Sequence, residues 1–332
     1  MRAVGIFGIV SLVSSLLLVP WGGSGAAEKK FPVKSIQVII PFQPGDTDNL
    51  LRPYVEKAPE YLGQPVSMVY KPGAAGAVGA GFVASSKADG YTLVGSSQSS
   101  IVVVPLTHKE VGYTWESFAP VSCLVETASM LVVQSGAPWK DLKELVEDSR
   151  KSPGKINYSS SGTFGVNHLI PEALCKEAGV KWTYIPSQGS GPTITALLGG
   201  HVQVASTALT PAHPHLKSGT LRPIAVYNNK RVQSLPQVPT LLESGYSIGL
   251  PGIYGVLAPR GTPKEVIEVL HQALRQVAQE HKGFLNERLE SLGAQVCFAG
   301  PEEYISMLKS QHETFQNILV PILADLQKRY GK

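Results

Sequence analysis

Three short segments of the sequence are rich in glycine, proline and hydroxyl-bearing residues, and each stands between a predicted strand and a predicted helix. They are residues 41–49, 158–168 and 186–192. Backbone amides in the first turn of a helix have no partner inside the helix, so they bind anions without lysine or arginine. Neighbouring hydroxyl groups add further donors. Together the three segments predict a shared binding site for a small carboxylate.

The motifs of several enzyme classes are missing from the sequence. Around Ser97 the pattern lacks the second glycine of a nucleophile elbow, and Gly154-Lys155 is followed by Ile156 instead of a phosphate-loop Ser or Thr. We therefore expect no enzymatic activity, no bound metal and no cofactor. One alternative stays open, a secreted serine hydrolase in which Ser160 or Ser161 works with His168.

Alternating strands and helices must position these segments. Residues 36–40, 66–70 and 91–95 are β-branched or alternating apolar runs, and helix-like spacing separates them. This β-α-β-α-β order predicts a parallel sheet, and ligands of such sheets bind beyond the carboxyl ends of the strands. The first helix is predicted to begin at residue 49. Residues 129–226 repeat the theme, with strands predicted at 129–134 and 221–226 and helices predicted to begin at residues 169 and 193. Residues 263–279 and 302–326 are helical in pattern, and we expect this helical tail to pack back on the first lobe.

Size and charge narrow the class of protein. A chain of 332 residues is too long for one ordinary core, so two lobes are expected. The net charge of +4 is spread along the chain, and a nucleic-acid surface would cluster it. Cys123, Cys175 and Cys297 have no metal or redox spacing. We expect buried free thiols, although a bridge between two of them stays open.

Residues 1–27 have the composition of a cleaved signal peptide. Arg2 precedes an uncharged apolar run over residues 3–19, and small residues end at Ala26 and Ala27. We expect cleavage after Ala26 or Ala27, which would give a soluble protein outside the cytoplasm.

Many short motifs in order carry a family resemblance over residues 31–326. They include Phe31-Pro32-Val33-Lys34, Pro41-Phe42-Gln43-Pro44-Gly45, Lys71-Pro72-Gly73-Ala74-Ala75-Gly76, Ala88-Asp89-Gly90-Tyr91-Thr92-Leu93, Asn157-Tyr158-Ser159-Ser160-Ser161-Gly162 and Leu257-Ala258-Pro259-Arg260-Gly261-Thr262-Pro263. In these motifs the sequence resembles the periplasmic solute-binding proteins of tripartite tricarboxylate transporters, the Bug family.

The resemblance implies a two-lobed α/β periplasmic binding protein (type II-like, a "Venus flytrap") in which each lobe is a mixed sheet flanked by helices. It implies a first lobe of residues 28–127 and 227–332 and a second lobe of residues 128–226. The expected partners are a small organic acid and the subunits of a membrane permease, with no nucleic acid, and the protein is expected to be a monomer. A sensory role in place of transport stays open.

Carried over by position, the resemblance implies a set of ligand-binding residues on the three segments and at two further positions. They are Phe42, Gly45, Asp46, Thr47, Asp48, Ser160, Ser161, Gly162, Thr163, His168, Gly189, Ser190, Thr207 and Tyr254.

Two positions in this set depart from the family pattern. Asp46 stands where the family has more glycine, and a cleft-facing carboxylate there would repel an anionic ligand or pair with an amine or hydroxyl group. Tyr254 lies in a triplet that often contains Trp, and we expect it to present a hydroxyl to the cleft. Whether Asp46 faces the cleft stays open.

Overall fold

The structure is a computed structural model, and it describes Met1 and residues 31–330 apart from residues 109, 164 and 188. The chain divides into two compact units, residues 1–30 and residues 31–332, and the second is described below. The predicted signal peptide lies outside the described residues except for Met1.

The described residues form eleven strands. They are β1 (Ile36–Ile40), β2 (Val66–Tyr70), β3 (Thr92–Ser97), β4 (Phe118–Thr127), β5 (Ser129–Gln134), β6 (Asn157–Ser160), β7 (Thr183–Pro186), β8 (Val204–Ala208), β9 (Leu221–Val226), β10 (Gly252–Pro259) and β11 (Ala294–Ala299).

The same part of the chain forms twelve α-helices. They are α1 (Asp46–Lys57), α2 (Pro59–Leu62), α3 (Ala77–Ala84), α4 (Val104–Thr107), α5 (Leu142–Lys151), α6 (Val166–Ala178), α7 (Ser190–Leu198), α8 (Leu209–Lys217), α9 (Lys264–Glu280), α10 (Lys282–Ser291), α11 (Pro301–Thr314) and α12 (Val320–Tyr330). Turns of π-helix, Ser99–Val103 and Phe315–Leu319, precede α4 and α12.

The first sheet has six strands in the order β11-β4-β10-β3-β1-β2. Strands β1, β2 and β3 are parallel, as the sequence predicts, while β10 is antiparallel to its neighbours β3 and β4. Helices cover both faces, because Val38 packs in one apolar cluster with Leu51 of α1 and Ile39 packs in another with Ala80 of α3. Burial on both faces explains why Val38, Ile39 and Ile40 are apolar in succession.

The second sheet has five strands in the order β7-β6-β8-β5-β9. Strands β6, β7 and β8 are parallel, and β5 is antiparallel to β8 and β9. Tyr158, Trp182 and Tyr184 are buried together on one face of this sheet. The two mixed sheets with their helices confirm the predicted two-lobed α/β fold.

The chain crosses between the two sheets twice. Ala128 alone separates β4 from β5, and residues 227–251 separate β9 from β10. In the first sheet the carboxyl ends of β1, β3 and β4 lie beside the start of β10, since Tyr254 pairs with Ser97. In the second sheet the carboxyl ends of β6, β7, β8 and β9 lie beside the start of β5, since Ser129 pairs with Ala208. We call these two borders the crossover edges.

Residues 227–251, which form the second crossing, hydrogen-bond to the second sheet and its helices along most of their length. The amide of Leu241 donates to the carbonyl of Val226 at 3.1 Å, and the amide of Leu250 donates to the carbonyl of Tyr227 at 2.6 Å. The amide of Ser247 also donates to the Glu177 carboxylate in α6 at 3.0 Å.

The prediction that the helical tail packs on the first lobe is only half right. Helix α11 packs on β4, but α12 lies against α6, which belongs to the second sheet. The apolar face of α12 is buried there, and Arg329 Nη1 lies 3.4 Å from Glu172 Oε2 of α6. The tail therefore contacts both lobes.

Candidate functional site

The first loop leads from β1 directly into α1. The helix begins at Asp46, and the preceding residue, Gly45, provides no side-chain cap. The helix begins before Thr47, Asp48 and Asn49, so none of these three residues stands at its N-cap position. Among the described residues, no backbone carbonyl accepts a hydrogen bond from the amides of residues 46–48. These amides lie at the crossover edge with free donor capacity.

Asp48 is buried and organises the first loop. One carboxylate oxygen accepts the amide of Gly45 at 2.5 Å, and the other accepts from Arg52 at 2.5 Å and from Tyr70 at 2.9 Å. Burial alone would raise the pKa of Asp48, but these donors outweigh it and lower that pKa. Both oxygens are thus engaged by the protein.

Asp46 lies at the start of α1 and meets Tyr254 at the start of β10. The Tyr254 hydroxyl donates to Asp46 Oδ2 at 3.1 Å. Asp46 is exposed to solvent, yet desolvation by the surrounding protein raises its pKa, opposed by the Tyr254 hydrogen bond. A side chain that is open to water and also surrounded by protein lies in a concave region. The same surroundings raise the pKa of Tyr254 well above its ordinary value.

Phe42 and Thr47 complete the first loop. The Phe42 ring packs against Gly76, where an added Cβ would stand 3.0 Å from the ring. Thr47 is buried in the first turn of α1. Both side chains therefore pack against other residues at the junction between β1 and α1.

The second loop folds around the hydroxyl of Tyr184. Ser160 Oγ lies 3.2 Å from this hydroxyl and 3.3 Å from the carbonyl of Gly162, and Thr163 Oγ1 lies 3.3 Å from the Tyr184 hydroxyl. The Asn167 side-chain amide donates to Ser161 Oγ at 2.9 Å. Helix α6 begins at Val166 without a side-chain cap.

His168 lies under this loop, inside an aromatic stack. It is fully buried and stacks on Tyr184, with 3.9 Å between the ring centroids, while the Tyr158 centroid lies 6.3 Å away. Burial, and then the charge of Arg329, lower the pKa of His168 to about 4. The imidazole is therefore neutral at ordinary pH and a weak base.

The third loop precedes α7, which begins at Ser190. Gly189 has a φ of 111°, a conformation that favours glycine, and its carbonyl accepts from the Thr193 hydroxyl at 2.9 Å. No side chain caps α7. Thr207 lies near the end of β8 at the same crossover edge. Its buried hydroxyl has no hydrogen-bond partner among the described residues.

Sequence analysis did not identify Asn228, which lies at the second crossing. Its side-chain amide donates to Glu126 Oε1 at 2.6 Å and to the carbonyl of Thr127 at 3.1 Å. Both partners are acceptors, so the orientation of the amide is fixed. Its Oδ1 is buried and has no partner among the described residues. No local pattern marks this residue, because a polar residue after a strand is typical of any loop.

The structure thus places the predicted residues in two groups. The first-loop residues and Tyr254 lie at the crossover edge of the first sheet. The second-loop and third-loop residues and Thr207 lie at the crossover edge of the second sheet. In the described part of the chain, no group of three or more His, Cys, Asp or Glu side chains could hold a metal ion.

The family model for the receptors of tripartite tricarboxylate transporters matches residues 50–320. The chain belongs to this receptor family. The family is one of periplasmic solute-binding receptors, and the resemblance drawn from the sequence motifs is confirmed. Within the described residues, no helix is long and apolar enough to cross a membrane.

Two relatives of this receptor illustrate the similarity. Protein BugT of Bordetella pertussis is 31% identical over 278 residues, which are 82% of this chain and 84% of BugT. The "UPF0065 protein in gbd 5'region" of Cupriavidus necator is 34% identical over 274 residues, which are 81% of this chain and 82% of that protein.

Three solved structures resemble the receptor along most of its length. The periplasmic binding protein BugD is 31% identical, with a TM-score of 0.68 over 91% of this chain and 99% of BugD. MatC (Rpa3494) from Rhodopseudomonas palustris with bound malate is 26% identical, with a TM-score of 0.71 over 87% of this chain and 100% of MatC. Rpa4515 from R. palustris with adipate is 26% identical, with a TM-score of 0.72 over 87% of this chain and 97% of Rpa4515.

Proposed function

We propose that this receptor captures a small organic acid between its two lobes and delivers it to the membrane permease of a tripartite tricarboxylate transporter. One observation carries the proposal: α1, α6 and α7 all begin at the crossover edges without a side-chain cap. Their first-turn amides provide donors for carboxylate oxygens. The malate and adipate held by two similar proteins are acids of this kind.

The proposed ligand site consists of Phe42, Gly45, Asp46, Thr47, Asp48 and Tyr254 on the first lobe and Ser160, Ser161, Gly162, Thr163, His168, Gly189, Ser190 and Thr207 on the second. A hydrogen bond to a charged carboxylate contributes about 1.5–3 kcal/mol. Four or five such bonds support a dissociation constant of about 1 μM, which needs about 8 kcal/mol after the costs of binding.

The proposed lobes follow the two sheets. The first lobe comprises residues 28–127 with the return of the chain after the second crossing, and the second lobe begins at residue 128. Because residues 227–251 hydrogen-bond to the second sheet, we place the return to the first lobe near residue 251 instead of residue 227. Closure of one lobe on the other would bring the two crossover edges onto the ligand.

We further propose that residues 1–27 are a signal peptide, that the mature protein is a periplasmic monomer and that it has no catalytic activity. The surroundings of His168 argue against the hydrolase alternative, since a buried imidazole with a pKa of about 4 is a poor base for Ser160 or Ser161. A sensory role would use the same site, and a permease gene beside the gene for this chain would favour transport.

Mass spectrometry of the molecule released when the purified protein is denatured tests the proposal. We expect a small organic acid, which should bind again to the ligand-free protein with a dissociation constant in the micromolar range or below by calorimetry. Failure to find any acid, together with no binding of malate, adipate or other organic acids, would refute the proposed function. Turnover of esters that is lost in Ser160→Ala would favour the hydrolase.

A further inference from the structure

Asp46 is an unusual residue to find beside an anion site, and its contacts suggest what it recognises. The Tyr254 hydroxyl donates to Oδ2, which fixes the carboxylate at the start of α1. Among the described residues, no hydrogen bond occupies Oδ1. One carboxylate oxygen therefore stays open toward solvent at the crossover edge of the first sheet.

The protein supplies no counter-charge for this carboxylate. Arg52, the cation nearest in sequence, forms its ion pair with Asp48, and no lysine, arginine or histidine among the described residues forms an ion pair with Asp46. The surrounding protein disfavours the charged carboxylate by desolvation, and the neighbouring Asp48 adds repulsion. A carboxylate in this state gains most from a cation that arrives with the ligand.

A second acceptor without a partner lies close by. This acceptor is the side-chain oxygen of Asn228, and Thr127 contacts both Asn228 and Tyr254. The Thr127 side chain lies beside the Tyr254 hydroxyl, and its carbonyl accepts a hydrogen bond from the Asn228 amide. Asn228 is only 1% exposed, and its Oδ1 has no partner among the described residues while its amide group is held by Glu126 and Thr127. Of these two acceptors Asp46 Oδ1 is the one open to solvent, so it is the acceptor that an N–H group of a ligand can reach.

We infer that Asp46, oriented by Tyr254, selects acids that carry an ammonium group near the carboxylate, so that the ligand is an amino acid and not a plain mono- or dicarboxylic acid. This inference rests on the proposed function, because the uncapped helix starts still bind the carboxylate end. Asp46 binds the ammonium group, and a ligand without it leaves the carboxylate of Asp46 facing a second negative charge.

Calorimetry with matched pairs of probes tests the inference. The pairs are L-aspartate and succinate, L-glutamate and glutarate, L-alanine and propionate, and L-phenylalanine and 3-phenylpropionate. We expect the amino member of at least one pair to bind tenfold or more tightly than its partner. Equal or tighter binding of the plain acid in the pair that binds best would overturn the inference and leave the proposed function standing.

Two variants assign the selectivity to its residues. Asp46→Asn keeps the shape and removes the charge, so it should lose tenfold or more in affinity for the amino acid and bind the plain acid as well as or better than the wild type does. Tyr254→Phe should reduce the selectivity by a smaller factor of about threefold. Asp325→Asn, at an exposed position on α12, is the matched control and should leave both affinities unchanged.

Different results would refute the proposed function and the inference about Asp46. If no probe binds but an acid is released on denaturation, its composition decides: an amine supports the inference and its absence overturns it. If no probe binds and no acid is released, the proposed function fails and the inference fails with it. Selectivity that persists unchanged in Asp46→Asn would also overturn the role of Asp46.

Discussion

The imidazole of His168 stacks on the phenol ring of Tyr184, with 3.9 Å between the ring centroids and 23° between the ring planes. The hydroxyl of the same tyrosine lies within 3.3 Å of Ser160 and Thr163. The shape of the second loop therefore depends on a stack formed by a helix residue and a strand residue beneath it. His168 contributes to the site through this packing, with its ring buried.

The first prediction concerns stability at acid pH. His168 has a pKa of about 4 in the folded protein and 6.5 in an ordinary environment. The unfolded chain therefore takes up this proton first as the pH falls, and the folded state loses stability between pH 6.5 and pH 4. The full loss is about 3 kcal/mol, from about 1.4 kcal/mol for each unit of pKa.

The measurement is the thermal unfolding midpoint against pH. In His168→Phe, which keeps a ring on Tyr184 but cannot titrate, the midpoint should depend less on pH over this range. An unchanged pH dependence in His168→Phe would show that other groups control acid stability.

The second prediction concerns the hydroxyl groups of the second loop. The double variant Ser161→Ala with Thr163→Ala removes two hydroxyls at the crossover edge, and it should weaken binding of the co-purified acid tenfold or more with the fold unchanged. Ser218→Ala with Thr220→Ala is the control, since these exposed hydroxyls bond to each other at the opposite border of the same sheet. Calorimetry would exclude the loop from the site if the first variant bound as the wild type does.

The third prediction concerns the packing of α3 against the ends of β1 and β2. An added Cβ at Gly79 would stand 2.7 Å from Pro41 Cα and 2.8 Å from the Lys71 carbonyl, so the backbone must shift. Gly79→Ala should lower the free energy of unfolding by about 1–3 kcal/mol, as overpacking does.

Gly81→Ala in the same helix is the matched control. Its Cβ would find Tyr113 at an ordinary 3.6 Å, so it should be neutral or stabilising by up to about 1 kcal/mol. Chemical denaturation of the two variants gives the comparison, and equal effects would contradict the close contact at Gly79.

The fourth prediction concerns the three cysteines, which are free thiols in the structure. A hydrogen bond with Cys297 and burial raise the pKa of Cys123, and burial raises that of Cys175. Only the half-buried Cys297 should react promptly with a thiol reagent in the native protein, and Cys297→Ser should remove that reaction. All three should react after unfolding. The sulfurs of Cys123 and Cys297 lie 3.9 Å apart. If only one thiol reacts in the unfolded protein without reductant, these two cysteines form a disulfide.

Strands with local signals were predicted well from the sequence. The predicted ranges 36–40, 66–70, 129–134 and 221–226 agree with β1, β2, β5 and β9 at both ends. Each is an apolar or β-branched run bounded by turn residues, so the signal lies within the strand itself.

Strands β4, β10 and β11 were missed because their signals are not local. Strand β4 contains Pro120, which argues against a central strand, and β10 is interrupted by Gly255. Gly255 is needed because an added Cβ would collide with the Ser122 carbonyl and the Tyr304 ring. These strands are stabilised by partners more than a hundred residues away, which no window of sequence displays.

The helices of the site show a consistent error with a physical cause. The sequence placed the starts of α1, α6 and α7 at residues 49, 169 and 193, and each begins three residues earlier. Their first turns contain Asp, Thr, Asn, Gly, Ser and Pro, which are typical of loops. A helix start that offers its amides to a ligand does not need the usual capping pattern, so its beginning is hard to see. The contact between Asp46 and Tyr254 joins distant parts of the chain and had no local signal.

The contact of α12 with α6 restricts how the lobes can move. Two covalent connections near one border would let the halves swing and also twist about each other. The contact of α12 with α6 is a third connection, and it opposes twisting of the halves about each other. Arg329 and Glu172 lie on that third connection. The apolar side of the last helix therefore restrains this twist as well as adding to the core.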